Sequence, residues 1–235
     1  MVMCLGDVPL CGKKAILSIG ECGGSSYVNA INNAGQVVGW DSDQPFVWKD
    51  GLTTPLSLLG SNADGSQAVD INDKGQAVGY SNIRTTDESI LHAVLWQPKG
   101  KNKDLGILPG GKYSKASGIN QSGQVVGWAD TSNKMKHAVL WQGGMIKDLG
   151  LLQNNATQAT KINNRGTVVG YSSITTEYSS EIPDHGFVWK NGTMRDLNKL
   201  LPANSGWEIN TARAINNRGQ IVGEGKFNGQ KGITC

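Results

Sequence analysis

The sequence predicts an all-β protein, a five-bladed β-propeller of four-stranded antiparallel blades, closed by its N-terminal strand. Three observations carry that expectation. The string Ile-Asn-x-x-Gly-x-x-Val-Gly occurs five times, beginning at Ile31, Ile71, Ile119, Ile162 and Ile215. Its spacings of 40, 48, 43 and 53 residues average 46, in the range of about 40–50 residues that marks propeller blades. Each repeat also holds four short alternating segments separated by Gly/Asn turns. Side chains grow from small to large across each repeat, as they must where sheets splay out from an axis.

The third repeat shows the elements in order. Ser114–Ile119 alternates small and polar residues and reads as a first strand. Asn120 to Gly123 is a turn, and Gln124 to Trp128 the return strand. A loop leads to His137–Trp141, then Gly143 and Gly144 turn the chain into Met145–Gly150. That is an antiparallel meander. Turn glycines 35, 75, 123, 166 and 219 each follow Asn-x-x. The spacing suits a type I turn closed by a left-handed glycine, with the Asn side chain bonding turn amides.

The taper follows from particular positions. Val28, Ala68, Ala116, Ala159 and Ala212 stand three residues before each repeated Ile, on the crowded first strands. Third strands carry Phe46-Val-Trp48, Val94-Leu-Trp96, Val139-Leu-Trp141 and Phe187-Val-Trp189, which fill the wider outer space. The last repeat stops at a third strand ending in Cys235, while Ala15 to Gly20 aligns with the fourth strand at Ile146 to Gly150. The N-terminal strand is therefore expected to complete the last blade. Residues 1–11 form a tail and 12–235 one domain. Cys11 and Cys235 both map to the slot that Trp141 fills in the third repeat, which predicts a Cys11–Cys235 disulfide. Cys4–Cys235 is the second choice, and Cys4–Cys22 the companion of the first. Such bridges imply an oxidising compartment.

Composition narrows the function. The 22 basic and 19 acidic residues give a net charge of +3, and no basic run exceeds two residues. That lacks the footprint of a nucleic-acid binder. No apolar stretch reaches the ~18 residues of a membrane span, and Met1 to Leu10 lacks the cationic start of a signal peptide. The histidines at 92, 137 and 185 share one repeat position, which favours a structural hydrogen bond over catalysis or metal binding. No metal, cofactor or catalytic residue is expected. The sequons at Asn120, Asn155 and Asn191 are too short a pattern to carry weight.

Ser114 to Trp128, His137-Ala-Val-Leu-Trp141 and Asp104-Leu-Gly-Ile-Leu108 resemble the HAF repeats of bacterial extracellular repeat proteins. The His-Ala-Phe core varies here, with His185 before Gly-Phe and with Gln44 and Lys231 in place of His. The resemblance implies an extracellular or surface-associated protein and brings no catalytic residues.

Function is expected on one face. The connections from second to third strand and from blade to blade share that face, and they are the variable ones: 81–91, 172–184 and 199–208. On them stand Trp207, Tyr178, Glu177, Glu181, Arg84 and Asp87. Aromatic and charged loop residues suit a carbohydrate or surface-protein ligand. The expectation is thus a non-enzymatic extracellular binding module. Two alternatives stay open. One is a filament or coat subunit assembled through its N-terminal strand; the other is a glycosidase or lyase, which would need converging carboxylates.

Overall fold

The computed structural model describes residues 26–60, 64–84, 88–98, 101–173 and 183–234. Its architecture is all-β, five antiparallel sheets each formed from consecutive strands. The first holds β1 (Ser26–Ile31), β2 (Val37–Asp41), β3 (Gln44–Lys49) and β4 (Leu52–Pro55). The second holds β5 (Gln67–Ile71), β6 (Ala77–Arg84), β7 (Ser89–Trp96) and β8 (Lys103–Asp104). The third holds β9 (Ser114–Ile119), β10 (Val125–Asp130), β11 (Lys136–Gln142) and β12 (Met145–Gly150). The fourth holds β13 (Ala156–Ile162), β14 (Val168–Ser173), β15 (Pro183–Lys190) and β16 (Thr193–Asp196). The fifth has three described strands, β17 (Trp207–Ile215), β18 (Ile221–Phe227) and β19 (Gln230–Thr234). Residues 15–20, expected to supply its fourth strand, lie outside the described residues, as do Cys4, Cys11, Cys22 and Cys235.

The turns follow their residues. Hairpins between third and fourth strands use Asp50-Gly51, Gly143-Gly144 and Asn191-Gly192, both residues of each pair at positive φ. Two such residues make the turn whose twist matches the flanking strands. In the first turn of the third repeat, Gly123 sits at φ 78° and its N–H donates to the Asn120 carbonyl at 3.0 Å. Asn120 Oδ1 accepts from the amides of Ser122 and Gln124. All five repeats build this turn, as the Asn-x-x-Gly spacing predicts.

One loop is shorter than expected. Residues 81–84 and 89–91 are not loop but extend β6 and β7, pairing Asn82 with Leu91 and Ile83 with Ile90. The β-branched Ile83 and Ile90, facing each other across the pair, support a longer hairpin.

Each sheet packs face to face on the next in sequence order. The second valine of each Val-Gly pair is the knob, and the Ala and Ile of the following first strand are the socket. Val38 packs with Ala68 and Ile71, Val78 with Ala116 and Ile119, Val126 with Ala159 and Ile162, and Val169 with Ala212 and Ile215. The four small residues Ala68, Ala116, Ala159 and Ala212 are all buried, and Trp96, Trp141 and Trp189 fill the outer part of the same interfaces. The first strands crowd together. Asp70 on β5 bonds Lys161 Nζ on β13 at 2.8 Å and accepts from the Ile119 amide on β9. Three consecutive sheets thus meet at one carboxylate, the taper expected from the sequence.

Every first strand carries a bulge at the same place, after Val28, Ala68, Ala116, Ala159 and Ala212. In the first, third and fourth sheets the side chain of the bulged residue reaches the next sheet. Asn29 donates to the Ala68 carbonyl, Ser117 to that of Ala159, and Thr160 to that of Ala212.

Candidate functional site

The two kinds of variable connection do meet on one face. Lys112, before β9, pairs with Glu88, before β7, at 2.9 Å. Asn82 donates to the Asp64 carbonyl, and Asp130 accepts from the amides of Lys112 and Tyr113. These contacts tie the strand-two-to-three turns to the sheet-to-sheet connections.

Of the residues singled out in the sequence, Trp207 is the one whose side chain is described. It opens β17, half-buried, and its ring lies 5.0 Å from that of Phe227 across the sheet. Phe227 is 44 % exposed and precedes the turn at 228–229. Beside them Glu208 and Lys226 approach at 3.9 Å. The backbone of Arg84 ends β6 opposite Ser89. Asp87, Glu177, Tyr178 and Glu181 lie outside the described residues.

A second aromatic set went unread in the sequence, although its position is regular. The residue after each Val-Gly is Trp40, Tyr80, Trp128 or Tyr171, and Glu224 in the last copy. Tyr27 stacks on Trp40 at 4.3 Å. Lys115 Nζ lies 4.1 Å from the centre of Tyr80, and Lys136 Nζ 4.5 Å from that of Trp128. Lys115 belongs to the third sheet and Tyr80 to the second, so this ring sits where two sheets meet. Burial first, and then the nearby Asp43 charge, push the Tyr80 hydroxyl up to about 12. It stays a neutral phenol, able to donate a hydrogen bond, across the physiological range.

The histidines serve the architecture. His92, His137 and His185 each place Nδ1 2.7 Å from a fourth-strand carboxylate, Asp104, Asp148 and Asp196. The other oxygen of each carboxylate accepts the amide two residues on, at Gly106, Gly150 and Asn198. At His92 and His137 a hydroxyl of the next sheet completes the clasp. Ser114 Oγ accepts from the Ala93 amide and donates to the Gly106 carbonyl; Thr157 does the same between Ala138 and Gly150. In the first sheet Gln44 replaces His and Pro55 stands in the register of the carboxylate; there Gln44 Nε2 donates to the Leu56 carbonyl. His185 Nε2 also lies 3.5 Å from Asp184. Among the described residues no group of three or more His, Cys, Asp or Glu could hold a metal ion. No helix among them is long and apolar enough to cross a membrane.

The clasp at His92 titrates. The hydrogen bond that His92 donates to Asp104 raises the His92 pKa, a larger effect than burial, which lowers it. Burial works to raise Asp104, but its bonds from His92 and the Gly106 amide outweigh that and leave it lowered. A raised histidine contributes stability that is fully present below its unfolded value and is lost as pH rises through the folded one. The carboxylate's contribution is lost instead at acid pH, as it protonates. The melting temperature is expected to fall as pH rises from below the ordinary histidine value of 6.5 through the raised value of His92. His92→Asn should flatten part of that slope in thermal melts; an unchanged slope would show that the clasp does not titrate.

Residues 150–230 match a family model described as a protein of unknown function (DUF3466), covering the fourth sheet and the first two strands of the fifth. No curated protein matches the chain.

Proposed function

We propose that the chain is a non-enzymatic binding module, built as a five-bladed β-propeller whose variable face receives a carbohydrate or a surface-protein ligand outside the cell. The observation that carries this reading is the pair of partly exposed aromatic contacts, Tyr27 with Trp40 and Trp207 with Phe227, each beside a turn from second to third strand. Flat apolar rings with polar neighbours suit the apolar face of a sugar or a protein anchor. The resemblance to HAF repeats supports the extracellular setting. In this reading residues 15–20 add the fourth strand of the fifth sheet and bring it against the first, with a disulfide of Cys11 and Cys235 at the junction. The histidine clasps argue against an enzyme, because each imidazole already serves a repeated structural bond.

A glycan panel tests the reading. Trp207→Ala and Trp40→Ala should each weaken binding about tenfold, the scale of one well-stacked ring. Binding unchanged by both substitutions would remove these rings from the site, and failure to bind any glycan would remove the carbohydrate.

A second reading, a subunit of a filament or surface coat, rests on a different observation. Among the described residues, the first and fifth sheets each expose a face that is covered in every other sheet. Val28 and Ile31 are 53 % and 59 % exposed, where Ala68 and Ile71 are 0 % and 6 %.

A further inference from the structure

We infer that the open face of the first sheet is a docking site for the fifth sheet of a second copy of this chain, joined head to tail. The inference deepens the self-assembling reading and rests on it; it is the alternative to the closed ring, in which the chain's own fifth sheet would cover this face.

The four internal interfaces define what such a face requires. Each joins a valine knob on one sheet to an Ala/Ile socket on the next, and each is crossed by two ladders of hydrogen bonds. In the first ladder Asn32 Nδ2 donates to the Asn72 carbonyl at 2.9 Å, and Asn72 to Asn120 at 3.1 Å. Asn120 donates to Asn163 at 3.1 Å, and Asn163 to Asn216 at 3.0 Å. In the second, a backbone N–H donates to a side-chain oxygen: Asn33 to Asp73, Asp73 to Gln121, Gln121 to Asn164, and Asn164 to Asn217.

Both ladders run in one direction and therefore end in opposite chemistry. On the fifth sheet, Asn216 Nδ2 reaches Gln220 and no following sheet among the described residues, and the Asn217 N–H is the next donor in line. On the first sheet the Asn32 carbonyl and Asn33 Oδ1 are the acceptors that a preceding sheet would meet. The apolar part matches. Val222, the fifth knob, is 44 % exposed, whereas Val38, Val78, Val126 and Val169 are each 0 % exposed. The free socket is Val28 and Ile31. A face that offers a knob and donors at one end, and a socket and acceptors at the other, is complementary to its own copy. Such a contact is heterologous; it closes into a ring or grows as a filament according to the rotation at each step. Val28 departs from the alanine of the other sockets and fills part of the space. Val28→Ala should therefore retain the contact.

The test is solution mass by light scattering on the full chain, over a range of concentrations and with reductant present throughout. Wild type should be larger than 25.0 kDa. Ile31→Asp and Val222→Asp, each at an exposed position, should each give a folded monomer by far-UV circular dichroism. Mixed in equal amounts, the two variants should form a heterodimer and nothing larger, since one intact socket meets one intact knob. A 25.0 kDa wild type, as when residues 1–25 or the chain's own fifth sheet cover this face, would overturn both the inference and the self-assembling reading. An assembly that survives both substitutions would overturn the inference alone, leaving self-association through another surface. Two monomeric variants that fail to combine would overturn the head-to-tail arrangement.

Discussion

Gly127→Ala should destabilise the protein by about 3 kcal/mol or more, at the upper end of what overpacking costs. The glycine is not there for its backbone freedom, since its φ is not positive. It is there because the bulge in β9 thrusts the strand toward β10. A Cβ on Gly127 would overlap the carbonyl oxygen of Lys115 and lie 2.9 Å from the Ala116 Cα. Those are backbone atoms, so no rotamer change can relieve the overlap. Gly39, Gly79, Gly170 and Gly223 meet the first strand in the same way. The bulge supplies the bonds from Asn29, Ser117 and Thr160 to the next sheet, so the glycine is the steric counterpart of the cross-sheet link. Gly143→Ala is the comparison. Gly143 has φ 60° and no atom within 4 Å of an added Cβ, so it should lose only about 1–2 kcal/mol, through the left-handed backbone. Urea unfolding midpoints would show the difference. Equal losses at the two sites would mean that β9 can move away, and that the bulge does not hold the sheets in register.

The repeat made most of this fold readable. Strand order, the Asn-x-x-Gly turn and the small-to-large taper all follow from spacing and residue size, which act within one repeat. The bonds between repeats were harder to read, because their partners stand 40 to 53 residues apart. Nothing at Asn32 alone announces the Asn72 carbonyl. The histidines show the same boundary. Their shared position identified a structural role, yet the Asp partners became evident only when the fourth strand was seen beside the third. Glycine in Val-Gly repeats five times, but its reason, the bulge opposite, is a matter of backbone approach. The site was the least readable part. Loop residues such as Trp207 follow no period, and the regular aromatics Trp40, Tyr80, Trp128 and Tyr171 were absorbed into the strand pattern. A residue that packs at the mouth of two sheets has the spacing of a core residue and the exposure of a surface one.

Asn120→Asp should cost about 3 kcal/mol, while the same change at Asn216 should cost under about 1 kcal/mol. Asn120 is buried and uses both ends of its amide. Oδ1 accepts the Ser122 and Gln124 amides, and Nδ2 donates to Gln124 Oε1 at 2.7 Å and to the Asn163 carbonyl at 3.1 Å. An aspartate keeps the two acceptor bonds and turns the donor end into an acceptor facing two oxygens. It also brings a charge into a site 3 % exposed. Burying a charge without a partner is expensive. Asn216 builds the same turn, but its surroundings are solvent and it donates only to Gln220, so a carboxylate there can turn to water. The contrast separates turn formation, which both asparagines perform, from the bond between sheets, which Asn120 alone of the two makes within the described residues. Thermal and urea unfolding of the two variants would measure it. Equal losses would mean that the turn, and not the ladder, is what the repeated asparagine stabilises. A large loss at Asn216 in an assembled protein would instead show that its amide has found a carbonyl on a neighbouring copy.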